Sequence, residues 1–283
     1  AFAMDAHALR AAIEADRIQG LIPTYVCATV GTTGSTGIDP VRLTADVLDE
    51  DARRHPQGAQ AWLHVDAALA GAACVAPELR WILEGIEAAD SLCMNPHKWL
   101  LTNFDCDCFW TRDRDALIGA ISVKPEYLRN EHSDAGVVVE YRDWQIPLGR
   151  RFRALKLWLM MRWYGVEGMR AHVREGVRLA SLFERWVRED DRFELMAPRV
   201  LNLVCFRLRP NPGEPTDKCD ERNRRLLERI NASGRALLTH AALAKGGRRR
   251  YTLRMAIGGS LTEERHVRET WELACGLAEG AGA

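Results

Sequence analysis

His64-Val65-Asp66-Ala67-Ala68, followed by Ser91-Leu92-Cys93-Met94 and Asn95-Pro96-His97-Lys98-Trp99, is the stretch on which the reading of this chain turns. Ala61–Val65 and Ser91–Met94 are short apolar runs bounded by turn residues, the pattern of buried strands. Leu79–Glu87 between them has helical character. A strand, a helix and a second strand in succession imply a parallel pair with covered faces. Asp66 stands at the carboxyl end of the first strand and Lys98 just beyond the second. Ligands of open α/β sheets collect outside the carboxyl ends of the strands. Chain order alone therefore predicts an acid and an amine at one site.

Working outward, Ala6–Ala15 reads as a helix ended by Gly20, and Leu21–Val30 as a buried strand. Gly31-Thr32-Thr33-Gly34-Ser35-Thr36-Gly37 is a loop placing Thr33 just past that strand. Val41–Arg54 is an amphipathic helix stopped by His55-Pro56-Gln57-Gly58. Cys106–Thr111 is a further strand. Residues 119–148 show little periodicity, and a loop of that length in a compact protein is usually functional. Arg151–Tyr164 and Val166–Glu189 are long helices broken at Gly165. Beyond them Asn202–Leu208 and Tyr251–Ala256 read as strands, and Glu221–Ile230 and Thr262–Ala278 as helices. The expectation is an α/β part over residues 1–155 and a smaller α+β domain over residues 156–283.

Composition narrows the function classes. The 283 residues are 47% hydrophobic and 28% charged, which describes an ordinary globular protein. Thirty-nine basic residues balance 39 acidic ones. That balance favours neither nucleic acid nor an anionic membrane as a partner. Arg248-Arg249-Arg250 reads as a solvated turn. The eight cysteines form no C-x-x-C pair, so zinc is not expected and a reducing cytoplasm suits the chain. No signal-peptide pattern and no apolar stretch long enough to span a bilayer is present.

Lys98 is flanked by Pro96, His97, Trp99 and Leu100, which predicts burial. A buried lone lysine must lose its proton or find a partner. A Schiff base with the aldehyde of pyridoxal 5'-phosphate (PLP) resolves this, and a carboxylate at Asp66 would hold the cofactor's ring nitrogen protonated. The plainer alternatives are a surface lysine and an aspartate capping the next helix. Ala68 is small enough to lie against a flat ring. Asn95 and His97 are either turn residues or donors to the cofactor phosphate. Thr33 and its glycines are either a tight turn or donors to an anion or to the pyridoxal hydroxyl.

These residues carry a resemblance. His64-Val65-Asp66-Ala67-Ala68 and Asn95-Pro96-His97-Lys98-Trp99-Leu100-Leu101, with Asn103-Phe104-Asp105-Cys106, Asp143 to Arg153 and Asn202 to Leu208, resemble the group II PLP-dependent decarboxylases. The aromatic-L-amino-acid decarboxylases are the nearest subgroup. The resemblance implies the fold type I architecture of PLP-dependent transferases: a mostly parallel sheet with helices on both faces, plus a smaller α+β C-terminal domain. Residues 1–155 would then be the C-terminal part of the large PLP-binding domain. It implies that Lys98 carries the cofactor, Asp66 faces the pyridinium, Ala68 packs on the ring, Asn95 and His97 lie by the phosphate, and Thr33 lines the ring edge. Tyr127 matches a loop tyrosine that protonates the α-carbon after CO₂ leaves; phenylalanine there marks aldehyde synthases. Gly149 resembles members accepting indole and catechol side chains. The implied assembly is a homodimer, or a pairing with a chain supplying the N-terminal portion. The family carries that portion, with a ring-stacking histidine and a phosphate loop, and this sequence does not. Leu69 departs from the tyrosine usual after the two alanines.

Overall fold

The computed structural model describes residues 2–122 and 139–279. Two four-stranded sheets organise them. The first holds β1 (Tyr25–Thr29), β2 (Trp62–Asp66), β3 (Ser91–Met94) and β4 (Cys108–Thr111) in that order. β1, β2 and β3 run parallel, and β4 returns antiparallel to β3 and leads into α4 (Arg114–Ile121). The register pairs Thr29 with Asp66 and Asp66 with Cys93, so three carboxyl ends lie side by side.

One face of this sheet is closed. Val26, Ala28, Leu63 and Val65 bury against Val41 and Ala45 of α2 (Val41–Arg54). α1 (Ala6–Ile18) packs beside α2, and its first turn is capped by the Asp5 carboxylate, which accepts from the His7 and Ala8 N–H groups. The other face is open. Tyr25, His64 and Phe109 stack in a row there, with centroids 6.3 and 6.1 Å apart. Tyr25 is 57% and Phe109 48% exposed. Parallel sheets normally have both faces covered; no helix among the described residues covers this second face.

Two local expectations change. Leu79–Glu87 forms no α-helix: 3₁₀ turns at Pro77–Leu83 and Ile86–Ala88 are separated by Gly85 at φ 91°. A Cβ on Gly85 would lie 2.6 Å from the Arg42 backbone, so the chain passes too close for any other residue. β1 begins at Tyr25 rather than Leu21, because Pro23 has no N–H to give a ladder.

The second sheet is antiparallel, in the order β5 (Phe193–Leu195), β6 (Leu203–Leu208), β8 (Arg248–Ala256), β7 (Thr239–Lys245). It packs on α5 (Arg153–Glu189), α6 (Thr216–Ala232) and α7 (Glu264–Glu279) around Phe183, Phe193, Phe206, Leu226 and Leu253. Arg248-Arg249-Arg250 is not a turn but the start of β8. The turn is Gly246-Gly247, both at positive φ, the conformation a tight hairpin demands. α5 is broken where the sequence predicts, at Gly165 (φ 62°, ψ 175°). Past the break, Met169 and Val173 enter the first core and Leu179 and Phe183 the second. Position 155/156 falls inside this helix.

Candidate active site

The one-turn helix α3 (Pro96–Trp99) sets the lysine. Pro96 occupies its first position, where no N–H is required. Asn95 bridges to the segment just after β2: its N–H donates to the Ala68 carbonyl at 3.0 Å, and its carbonyl accepts from the Lys98 N–H at 3.0 Å. Pro96, Trp99 and Leu100 turn inward. Trp99 is clamped between α5 and the end of β8, where a Cβ at Gly176 or Gly258 would come within 3.2 Å of the indole. Lys98 itself is exposed, which corrects the burial expected from its neighbours. On a single helical turn the apolar residues anchor the segment and leave the lysine facing outward.

It faces a cavity of ≈ 450 Å³ between the two sheets. Thr33, Asp66, Ala68 and Lys98 line one wall; Asn202 and Arg254 from the second sheet line the other. Four of the residues singled out from sequence thus meet at one place. The Asp66 Oδ1 accepts the Ala68 N–H at 3.0 Å and the Cys93 thiol at 3.6 Å. The capping alternative holds in part, since Asp66 does bind backbone, yet its carboxylate still borders the cavity. Burial, and then the adjoining Asp66 charge, push the Cys93 thiol up to about 12, so it stays a protonated donor toward Asp66. Burial lowers the pKa of His64 on the same face, against the opposing charges of Asp66 and Asp107.

The Gly/Thr loop is both things the sequence allowed. The Thr32 hydroxyl accepts the Gly37 N–H, and the Gly31 and Thr32 N–H groups donate to the Gly37 carbonyl, so the loop is a closed turn. Thr33 is left exposed at the cavity wall. Gly31, at φ 89°, lets the loop approach the segment after Asp66: a Cβ there would meet the Ala70 Cβ at 2.6 Å. From the other side, the Cys205 thiol donates to the Gly34 carbonyl at 3.3 Å.

Three singled-out residues do not line this cavity. The His97 Nδ1 lies 2.7 Å from the Cys106 carbonyl oxygen and 3.0 Å from its N–H, while Phe104 packs edge-on against the ring at 4.8 Å. Asn95 acts through its backbone beneath Lys98. Gly149 is exposed with open space around it. Tyr127 lies outside the described residues.

Sequence reasoning missed Asn202 and Arg254. The available signal was an arginine inside the apolar strand run Tyr251–Ala256. The Arg254 Nη1 donates to Thr239 Oγ1 at 2.8 Å, but its Nε is buried with no partner, as is the Asn202 Oδ1. Burial pushes the Arg254 guanidinium below its usual value. A guanidinium keeps its proton at neutral pH, so this cation calls for an anion.

The donor set fits a phosphorylated aldehyde and an amino acid. An accessible amine, a carboxylate, a small residue and an under-partnered guanidinium line one roomy cavity. Residues 1–209 match the family model described as the pyridoxal-dependent decarboxylase conserved domain. Tryptophan decarboxylase TDC1 of Camptotheca acuminata is 48% identical over 273 residues, spanning 96% of this chain and 51% of that protein. Phenylacetaldehyde synthase of Arabidopsis thaliana is 46% identical over 272 residues, spanning 96% of this chain and 53% of that one. The crystal structure of Oryza sativa TDC with PLP and tryptamine superposes with a TM-score of 0.88 at 48% identity, covering 98% of this chain and 55% of that chain. The chain spans about half the length of the relatives it matches.

Proposed function

We propose, from the premise that this chain belongs to the pyridoxal-dependent decarboxylase family, that it carries the cofactor-binding portion of an enzyme converting an aromatic L-amino acid to its amine and CO₂. One observation carries the reading: Lys98 and Asp66 lie on one wall of a cavity whose other wall holds the buried, under-partnered Arg254.

Bound PLP supplies an electron sink for the bond broken at the substrate's α-carbon. The chain does the rest. The Lys98 amine, open to the cavity, would hold the cofactor through its aldehyde. The Asp66 carboxylate, steadied by the Ala68 N–H, keeps a proton on the pyridine nitrogen by opposite charge in a partly desolvated site. Ala68 and Thr33, both lining the cavity, would border the ring. Asn95 and His97 sit on the phosphate side in this reading, Asn95 through the backbone that also holds Lys98. Arg254 pairs with and orients the substrate carboxylate, while the Asn202 Oδ1 accepts from an N–H of the ligand. Tyr127 delivers a proton to the α-carbon. Gly149 leaves room for a large side chain, so tryptophan, DOPA, tyrosine and phenylalanine are the candidate substrates.

Aldehyde synthases are among the relatives at similar identity, which favours a second reading: decarboxylation with oxidative deamination to the aldehyde. Tyr127, where those enzymes carry phenylalanine, argues for the amine. A homodimeric, cytoplasmic enzyme is the setting we favour. All eight cysteines are free thiols, as a reducing compartment requires, and no helix among the described residues is long and apolar enough to cross a membrane. The division at 155/156 stays a proposal, supported by the two separate cores.

The test is borohydride reduction of the protein with PLP, followed by peptide mapping, then product analysis with each aromatic acid. The label should fall on Lys98 and vanish in Lys98→Ala, and amines should outnumber aldehydes. A label confined to another lysine would remove the assignment.

A further inference from the structure

We propose that Thr239 is a positioning residue: its hydroxyl fixes which edge of the Arg254 guanidinium is left for a ligand, and so makes the cavity prefer a carboxylate to a neutral group of the same shape. The proposal rests on the reading of Arg254 as the partner of the substrate carboxylate, and deepens it.

Thr239 opens β7, the edge strand of the second sheet, and Arg254 lies directly opposite it on β8. Residues directly opposite in an antiparallel pair present their side chains to the same face. The Arg254 Nη1 donates to Thr239 Oγ1 at 2.8 Å. A guanidinium has only donors, so the hydroxyl oxygen must accept. Threonine is stiff at χ1, which makes that oxygen a fixed point on the sheet. The bond ties back one terminal nitrogen. Among the described residues, Nε is buried without a partner and Nη2 has none either. Nε and Nη2 point the same way, and two parallel N–H groups match the two oxygens of a carboxylate.

The neighbour on the other strand does not compete for the cation. Cys205 of β6 is opposite Arg254. Its thiol donates to the Gly34 carbonyl at 3.3 Å. Burial pushes that thiol up to about 11, so it brings no negative charge. Arg207 shows the contrast: it is held by the carboxylates of Asp220 and Glu194. Arg254 is held by a neutral acceptor, which orients the guanidinium without cancelling its charge. An aspartate at 239 would orient it as well and close the site to an anion. An amine formed by loss of CO₂ carries no carboxylate, so the Thr239–Arg254 pair favours exchange of product for substrate.

The test follows the Arg254 Nε–H resonance of the PLP-loaded chain labelled with ¹⁵N-arginine, assigned by its loss in Arg254→Gln. The probes are indole-3-propionate and its neutral amide, neither of which has a basic amine to react with the cofactor aldehyde. The acid should shift the resonance and bind about tenfold tighter than the amide, the worth of one charge-assisted hydrogen bond. Thr239→Val should weaken the acid about tenfold and leave the amide within about twofold, with circular dichroism unchanged. Thr239→Ser should restore acid binding, because it returns the oxygen, and Thr239→Asp should erase the preference. Undiminished acid binding in Thr239→Val, or an equal loss of acid and amide, would overturn the proposal and leave Arg254 its role. A wild-type resonance that the acid does not move would overturn the role of Arg254 and the proposal with it.

Discussion

The two sheets of this molecule solve the same packing problem to different degrees. β6 is buried at every one of its six residues, whereas β1 and β2 alternate buried and half-exposed positions. In the second body, Phe183 meets Phe206 edge-on at 5.1 Å and Trp271 at 5.5 Å, and α5, α6 and α7 enclose the sheet. In the first, the residues beside the cavity, Asp66 and Cys93, stand on the sheet's uncovered face. The closed body supplies a rigid wall for the site, and the half-closed body supplies its reactive groups.

The comparison breaks most readily at the closed core. Phe206→Ala should cost about 3–5 kcal/mol, because a fully buried aromatic leaves a cavity that neighbouring rings cannot fill. Urea unfolding followed by far-ultraviolet circular dichroism would measure it. A loss below about 1 kcal/mol would mean the second body is looser than its contacts imply. Next comes its buried ion cluster. Arg207 is 2% exposed, and its Nη1 donates to Asp220 Oδ1 at 2.8 Å and to the Tyr251 carbonyl at 3.3 Å. Asp220→Ala should cost about 1–3 kcal/mol, since the buried guanidinium loses its shorter carboxylate partner and keeps the longer one, Glu194 at 3.6 Å. The same urea titration checks it, and Arg207→Met combined with Asp220→Ala should recover part of the loss.

The open and closed regions differed in how far the sequence announced them. The limits of α2 and β3, the break at Gly165 and the convergence of Asp66 with Lys98 were legible, because each rests on a local signal: amphipathic period, an apolar run, a glycine, a strand end. β7 was not legible. Thr239-His240-Ala241-Ala242-Leu243-Ala244-Lys245 has one β-branched residue and three alanines, too little for a strand on propensity, and its pairing with β8 makes it one. Arg254 was hidden for a related reason: nothing local shows that a strand arginine is buried beside a cavity formed by a different sheet. The exposure of Lys98 was misjudged because apolar neighbours on a one-turn helix anchor the segment rather than enclose each residue. The uncovered sheet face could not be read at all, since what covers a strand is a long-range property.

The smallest effect lies at the seam between the two bodies. Glu78, in the 3₁₀ turn after β2, accepts two hydrogen bonds from Arg174 of α5, at 2.6 and 3.0 Å. The guanidinium holds the Glu78 carboxyl down at about 2, below an ordinary value of 4.5. A carboxylate lowered on folding contributes stability that is fully present above its unfolded value and is lost as pH falls toward the folded one. The contribution of this pair is therefore complete above about 4.5 and declines between there and about 2. Both side chains are half-exposed, so solvent and salt screen the interaction and its size is modest. Thermal melts of the wild type and Arg174→Gln should differ slightly at pH 6 and converge as the pH is lowered toward 3. A gap that stays constant on acidification would show that Arg174 acts through packing rather than charge, and one that widens would reverse the sign.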